Sequence, residues 1–126
     1  MNSSHAIAHL DHRSAQLIDL GPDIERVVKT GQHAHATRQH GSEVRSEHEF
    51  FASVCDLIDG FAKVLVTGGH TPLADFRHYV AKHRPLTAPR IAGYDVVDHP
   101  TDKQLVALGR RRLDELERLA ADATGH

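Results

Sequence analysis

Short apolar-rich runs fill the first quarter of the chain, and a longer period takes over later. Ala6 to Leu10 (AIAHL) and Ala15 to Leu20 (AQLIDL) are separated by the polar turn Asp11-His12-Arg13-Ser14. This pattern predicts a two-stranded hairpin. Gly21-Pro22-Asp23 is a second turn signal, and Ile24 to Lys29 (IERVVK) gives a third strand. A histidine-rich stretch, KTGQHAHATRQHGSEVRSEH (29–48), follows without a clear period. From Phe51 the apolar positions Val54, Cys55 and Ile58 recur at helical spacing, with Ser46 and Glu49 as a capping box and Gly60 as the stop.

Lys63 to Thr67 (KVLVT) reads as a buried strand, and Gly68-Gly69-His70 as a turn. Thr71 is placed to cap a second helix, with Pro72 at its first position and Leu73, Phe76 and Val80 as its apolar stripe. Pro85 and Pro89 bracket a loop before a fifth strand, Arg90 to Val97. Thr101 and Gln104 form another capping box, and leucines from Leu105 to Leu119 carry the last helix to about Ala121.

The order β-β-β-α-β-α-β-α defines an α/β class. Three strands joined by turns form a meander, and the two later strands arrive through right-handed helical crossovers. This order matches a three-layer ribonuclease H-like fold, with a mixed five-stranded sheet of order 3-2-1-4-5. A length of 126 residues fits a single domain over 1–126. Strands 3 and 5 would be sheet edges, each able to pair in a homodimer.

Composition narrows the function classes. Apolar residues make up 40% and charged residues 25%, as in an ordinary soluble protein. No apolar run is long enough for a membrane span, and no secretory signal pattern is present. The lone Cys55 lies on an apolar helix face and fits a reducing cytoplasm. The net charge is −2 with histidine neutral, without a broad basic face, which argues against strong nonspecific nucleic-acid binding. Protonating all 12 histidines would take the charge from −2 to +10, so sensing of mild acid is a further reading.

The predicted topology gathers distant polar segments at the C-terminal ends of strands 1, 3, 4 and 5, where open α/β sheets place ligands. The expected rim residues are Asp11, His12, Gly68, His70, Thr71, Asp98, His99, Thr101 and Asp102. Three chemistries compete there. His33, His35, Asp11 and His99 offer nitrogen and oxygen ligands for a divalent metal such as zinc. The helix N-termini at Thr71 and Thr101 offer free N–H groups to an anion. Asp11, Asp98 and Asp102 could hold Mg²⁺ for nuclease chemistry. There is no HExxH, paired cysteine or GxSxG, so a catalytic residue set cannot be assigned.

Three segments carry a family resemblance: LDHRSAQLIDL (10–20), KVLVTGGHTPLADF (63–76) and GYDVVDHPTDKQLVALGRR (93–111). Together they resemble a bacterial family labelled translational machinery proteins. That family is similar to the central domain of the eukaryotic and archaeal peptide-chain release factor and of Pelota. The resemblance implies a ribonuclease H-like fold. Relatives tend to carry a Gly-Pro-Gly turn and a nearby lysine after strand 4, where this chain has Gly68-Gly69-His70 and Leu73. Release factors carry Gly-Gly-Gln in the loop after strand 3, where this chain has Thr30-Gly31-Gln32.

The function this resemblance implies is a non-enzymatic, cytoplasmic, translation-associated accessory protein that docks on the ribosome or structured RNA. No cofactor is expected under it. Arg110, Arg111 and Arg112 are its candidate RNA contacts. The alternative is a metal-binding module or metal-dependent hydrolase at the His/Asp rim.

Overall fold

The computed structural model describes residues 5–11, 14–21, 26–29 and 40–123. Its strands are β1 (His5–Leu10), β2 (Ala15–Asp19), β3 (Arg26–Lys29), β4 (Lys63–Gly68) and β5 (Ile91–Val96). Its α-helices are α1 (His40–Ile58), α2 (His70–His83) and α3 (Asp102–Ala123), and a short 3₁₀ turn at Ala88–Arg90 precedes β5. The described residues therefore form an α/β fold with a mixed sheet and three α-helices. The strands lie in the order β3-β2-β1-β4-β5. The β1–β2 and β2–β3 pairs are antiparallel, whereas β1–β4 and β4–β5 are parallel. The C-terminal ends of β1, β4 and β5 consequently share one sheet edge.

The alternation of β1 explains the layering. Strand side chains point to opposite faces in turn. Ala6, Ala8 and Leu10 join Val64, Val66 and the apolar faces of α1 and α2 in one core. Ile7 joins Ile18 and Leu65 against Leu105 and Leu113 of α3 in a second core on the other face. The α3 helix approaches β1 closely because Gly109 has no side chain. A Cβ there would lie 2.8 Å from Leu20 Cδ1 and 3.1 Å from Ile7 Cβ. Cys55 is fully buried, and burial pushes its thiol up to about 12. It is a packing residue, as its helical spacing suggested.

Two helix starts differ from the sequence expectation. Helix α1 begins at His40, so Ser46 lies inside it and does not cap it. Its first turns, HGSEVRS, hold a single apolar residue, Val44, so no period marks them in the sequence. Helix α2 is capped by Gly69, and His70 is its first residue. Thr71 and Pro72 therefore each sit two positions further in than the sequence suggested. Strand β4 also continues through Gly68, whose carbonyl accepts from Val97 N–H at 2.9 Å, so the expected three-residue turn shrinks to Gly69 alone. The first α-helical bond then runs from Leu73 N–H to Gly69 O, and Pro72 is still early enough to lack an N–H harmlessly.

The third helix start follows the sequence closely. Gln104 N–H donates to Thr101 Oγ1 at 3.1 Å, and Thr101 N–H donates to Gln104 Oε1 at 2.8 Å. Both bonds of a capping box are present. Thr101→Ala should lower stability by about 1 kcal/mol. Urea denaturation of the two proteins would measure the difference.

Polar ties close the opposite end of the molecule. Arg84 donates to Asp56 and Asp59 at 2.8 and 3.1 Å, and the Thr87 hydroxyl donates to Asp59 at 2.9 Å. This joins the end of α1 to the end of α2. Among the described residues, no helix is long and apolar enough to cross a membrane.

Candidate functional site: the cleft at the sheet edge

The shared edge of β1, β4 and β5 carries an open cleft of about 280 Å³. Three short segments line it: His9 to Asp11 at the end of β1, Gly69 to Pro72 at the start of α2, and Val97 to His99 after β5. Of the expected rim residues, the fold brings Asp11, His70, Thr71, Asp98 and His99 together here. Gly68 is buried at the end of β4 and does not line the cleft. Thr101 is engaged in its capping box, and Asp102 Oδ1 accepts from Gln16 Nε2 at 2.6 Å. His12, His33, His35, Gly31 and Gln32 lie outside the described residues.

The residue missed in the sequence is His9. It lies within an apolar strand and reads there as a polar interruption of AIAHL. In the fold it stands beside Thr67 in the parallel β1–β4 register. Its Nδ1 lies 2.9 Å from Thr67 Oγ1, and that hydroxyl donates to Ala8 O at 2.8 Å. A hydroxyl has one hydrogen to give. Thr67 gives it to Ala8, so toward His9 it can only accept. Nδ1 therefore carries the ring hydrogen, and the neutral ring presents an Nε2 lone pair.

Burial is the main influence on this ring and lowers its pKa from 6.5; nearby His99 acts in the same direction, while Asp11 and Asp98 oppose the shift. The consequence for stability follows from proton counting. Below pH 6.5 the unfolded chain binds a proton that folded His9 resists, so stability falls as the pH drops from 6.5 through the lowered folded value. His9→Gln should remove that part of the acid loss. Melting temperatures of both proteins at about pH 7.5 and about pH 5 test this, and the gap between them should be smaller for the variant.

His99 adds a second unusual feature. Its φ of 47° lies in the left-handed region, and it precedes Pro100. Residues before proline disfavour helical conformations, and a non-glycine residue in this region costs about 1–3 kcal/mol. The fold thus holds strained backbone at the cleft mouth.

The chemistry of the cleft is mixed. The start of α2 supplies N–H groups without intrahelical partners, equivalent to about +0.5 charge. The carboxylates of Asp11 and Asp98 share the same opening. Two carboxylates outweigh half a positive charge, so a simple phosphate pocket is disfavoured. Among the described residues, no group of three His, Cys, Asp or Glu side chains is arranged to hold a metal ion.

Of the candidate RNA contacts, Arg110 and Arg111 are exposed on α3. Arg112 donates to Asp95 at 3.0 Å and to Glu115 at 2.9 Å, which ties β5 to α3. A separate ring cluster joins α1 to α2. His48 lies 5.2 Å from Tyr79 and 5.3 Å from His83 between ring centroids. The last histidine of the 29–48 stretch therefore belongs to a helix pair away from the cleft.

An α/β domain with a polar cleft at its C-terminal strand edge is the class that this geometry defines. The molecule is similar to solved structures that include the following two. Archaeoglobus fulgidus Pelota superimposes with a TM-score of 0.61 at 19% identity, over 96% of this chain and 36% of that one. The archaeal translation termination factor aRF1 superimposes with a TM-score of 0.59 at 12% identity, over 98% of this chain and 42% of that one. The chain thus spans well under half the length of either. At these identities the likeness is one of fold. No protein-family model matches the chain, and no curated protein matches it.

Proposed function

We propose that this chain is a translation-associated, non-enzymatic module that docks on the ribosome or on structured RNA in the cytoplasm. The observation that carries the reading is the whole-chain likeness to one domain of Pelota and of a translation termination factor. The segments 10–20, 63–76 and 93–111 support membership of the bacterial family named for translational machinery. The strand order supports a ribonuclease H-like, five-stranded assignment over a single domain, 1–126.

The cleft is the natural contact surface in this reading. It lies where open α/β sheets present ligands, and strained His99 stands at its mouth. Arg110 and Arg111 offer exposed charge for phosphate contacts along α3. The chain's net charge of −2 implies a shaped, local contact rather than broad electrostatic attraction. The metal-module alternative takes second place: Asp11 and His99 both line the cleft, but among the described residues no group of three His, Cys, Asp or Glu is arranged to hold a metal ion. A pull-down from lysate should enrich ribosomal RNA over messenger RNA of equal abundance. Recovery of neither would count against the docking role.

A further inference from the structure

We propose that the cleft at the sheet edge binds ribose hydroxyls, with His9 Nε2 accepting a hydrogen bond from a ribose 2′-hydroxyl. This rests on the RNA-docking reading above and specifies the ligand chemistry of its contact surface. The Thr67–Ala8 relay leaves Nε2 as an acceptor when the ring is neutral. Asp11 and Asp98 add carboxylate acceptors to the same opening. The start of α2, at His70 and Thr71, adds donors.

Different ligand classes meet this lining differently. A phosphate brings only acceptors and faces two carboxylates. A cation faces the positive end of α2. A sugar is neutral, and each hydroxyl both donates and accepts. Carboxylates commonly hold ribose hydroxyls at this edge of α/β sheets. Size points the same way. Pockets for drug-sized ligands span about 300–1,000 Å³. A cleft of about 280 Å³ takes a sugar more readily than a whole nucleotide.

The charged and titratable groups around His9 are Asp11 at the end of β1, His70 at the start of α2, and Asp98 and His99 after β5. Protonation would turn Nε2 from acceptor into donor. The bond with the 2′-hydroxyl therefore reverses direction only as the pH falls through the folded ring's own value, which burial holds below 6.5.

The test measures binding of the full chain to a short single-stranded RNA and to DNA of the same sequence, by fluorescence anisotropy, with free adenosine as competitor. The native protein should favour RNA roughly tenfold, the equivalent of one hydrogen bond. His9→Leu should bring the ratio near one, and His9→Gln, whose amide oxygen can accept, should restore part of it. Asp98→Ala, an exposed change, should lower the ratio without lowering the melting temperature. Competition by adenosine would identify free ribonucleosides as the source of the ribose, and its failure would identify the RNA strand. Equal binding of RNA and DNA by the native protein, or an unchanged ratio in both His9→Leu and Asp98→Ala, would overturn the assignment. Ribosome co-sedimentation run in parallel separates the two ideas. Co-sedimentation with an RNA/DNA ratio near one removes the ribose site alone. Adenosine binding without co-sedimentation removes the docking role alone.

Discussion

Phe76→Ala should destabilise the fold by about 3–5 kcal/mol, the range for emptying a buried phenylalanine site. Phe76 has no exposed surface and sits at the junction of α2 with the sheet. Its ring meets Phe51 of α1 edge-on, with centroids 5.4 Å apart. Edge-on aromatic pairs add about 0.5–1.5 kcal/mol beyond simple burial. Alanine therefore removes apolar area and an aromatic contact while leaving a cavity between two helices. For a domain of this size the melting temperature should drop by more than about 10 °C. Thermal unfolding followed by circular dichroism measures it. A drop of only a few degrees would mean that α1 and α2 collapse into the space.

Gly68→Ala should be nearly as damaging, by about 3 kcal/mol, although it adds a single methyl group. Gly68 pairs with Leu10 across the parallel β1–β4 ladder. A Cβ on Gly68 would lie 2.7 Å from the Leu10 carbonyl oxygen and 3.2 Å from Leu10 Cβ. The nearest atom is backbone, so no side-chain rotation relieves the clash. The strands must separate where Val97 N–H also bonds Gly68 O. His9 and Thr67 occupy the neighbouring register position, so the cleft should open with them. Chemical denaturation gives the stability change. The histidine resonances of His9 give the local change, and a stable protein with unmoved resonances would show that the ladder yields without cost.

The element order was legible because strands and helices announce themselves by period. AIAHL, KVLVT and RIAGYDVV read as short apolar runs, and the leucines of the last helix recur at helical spacing. The capping box at Thr101 and Gln104 was legible for a local reason: both of its bonds form within four residues. The start of helix α1 is not legible because its first turns, HGSEVRS, hold only Val44 as an apolar residue and so show no period. Threonine is the better local cap, which points to Thr71, whereas the helix starts at His70 behind Gly69 and β4 runs on to Gly68, whose carbonyl is met by Val97 of a distant segment.

The same limit applies to the cleft. Asp11, His70, Thr71, Asp98 and His99 could be gathered from topology alone, since each follows a strand that ends at one edge. His9 could not, because its role depends on Thr67, 58 positions away in the chain. A histidine in the last turn of an apolar strand, opposite a threonine in the next parallel strand, is the signal that would have found it. Asp102 was drawn off to Gln16 by a contact across 86 positions, which no local pattern encodes.

Sucrose-gradient co-sedimentation of the full, untagged chain with ribosomes at low salt tests the central claim most directly. The translation-associated reading predicts that the protein travels with ribosomal particles and that His9→Leu weakens this association. A protein that remains at the top of the gradient with purified ribosomes in excess would contradict it.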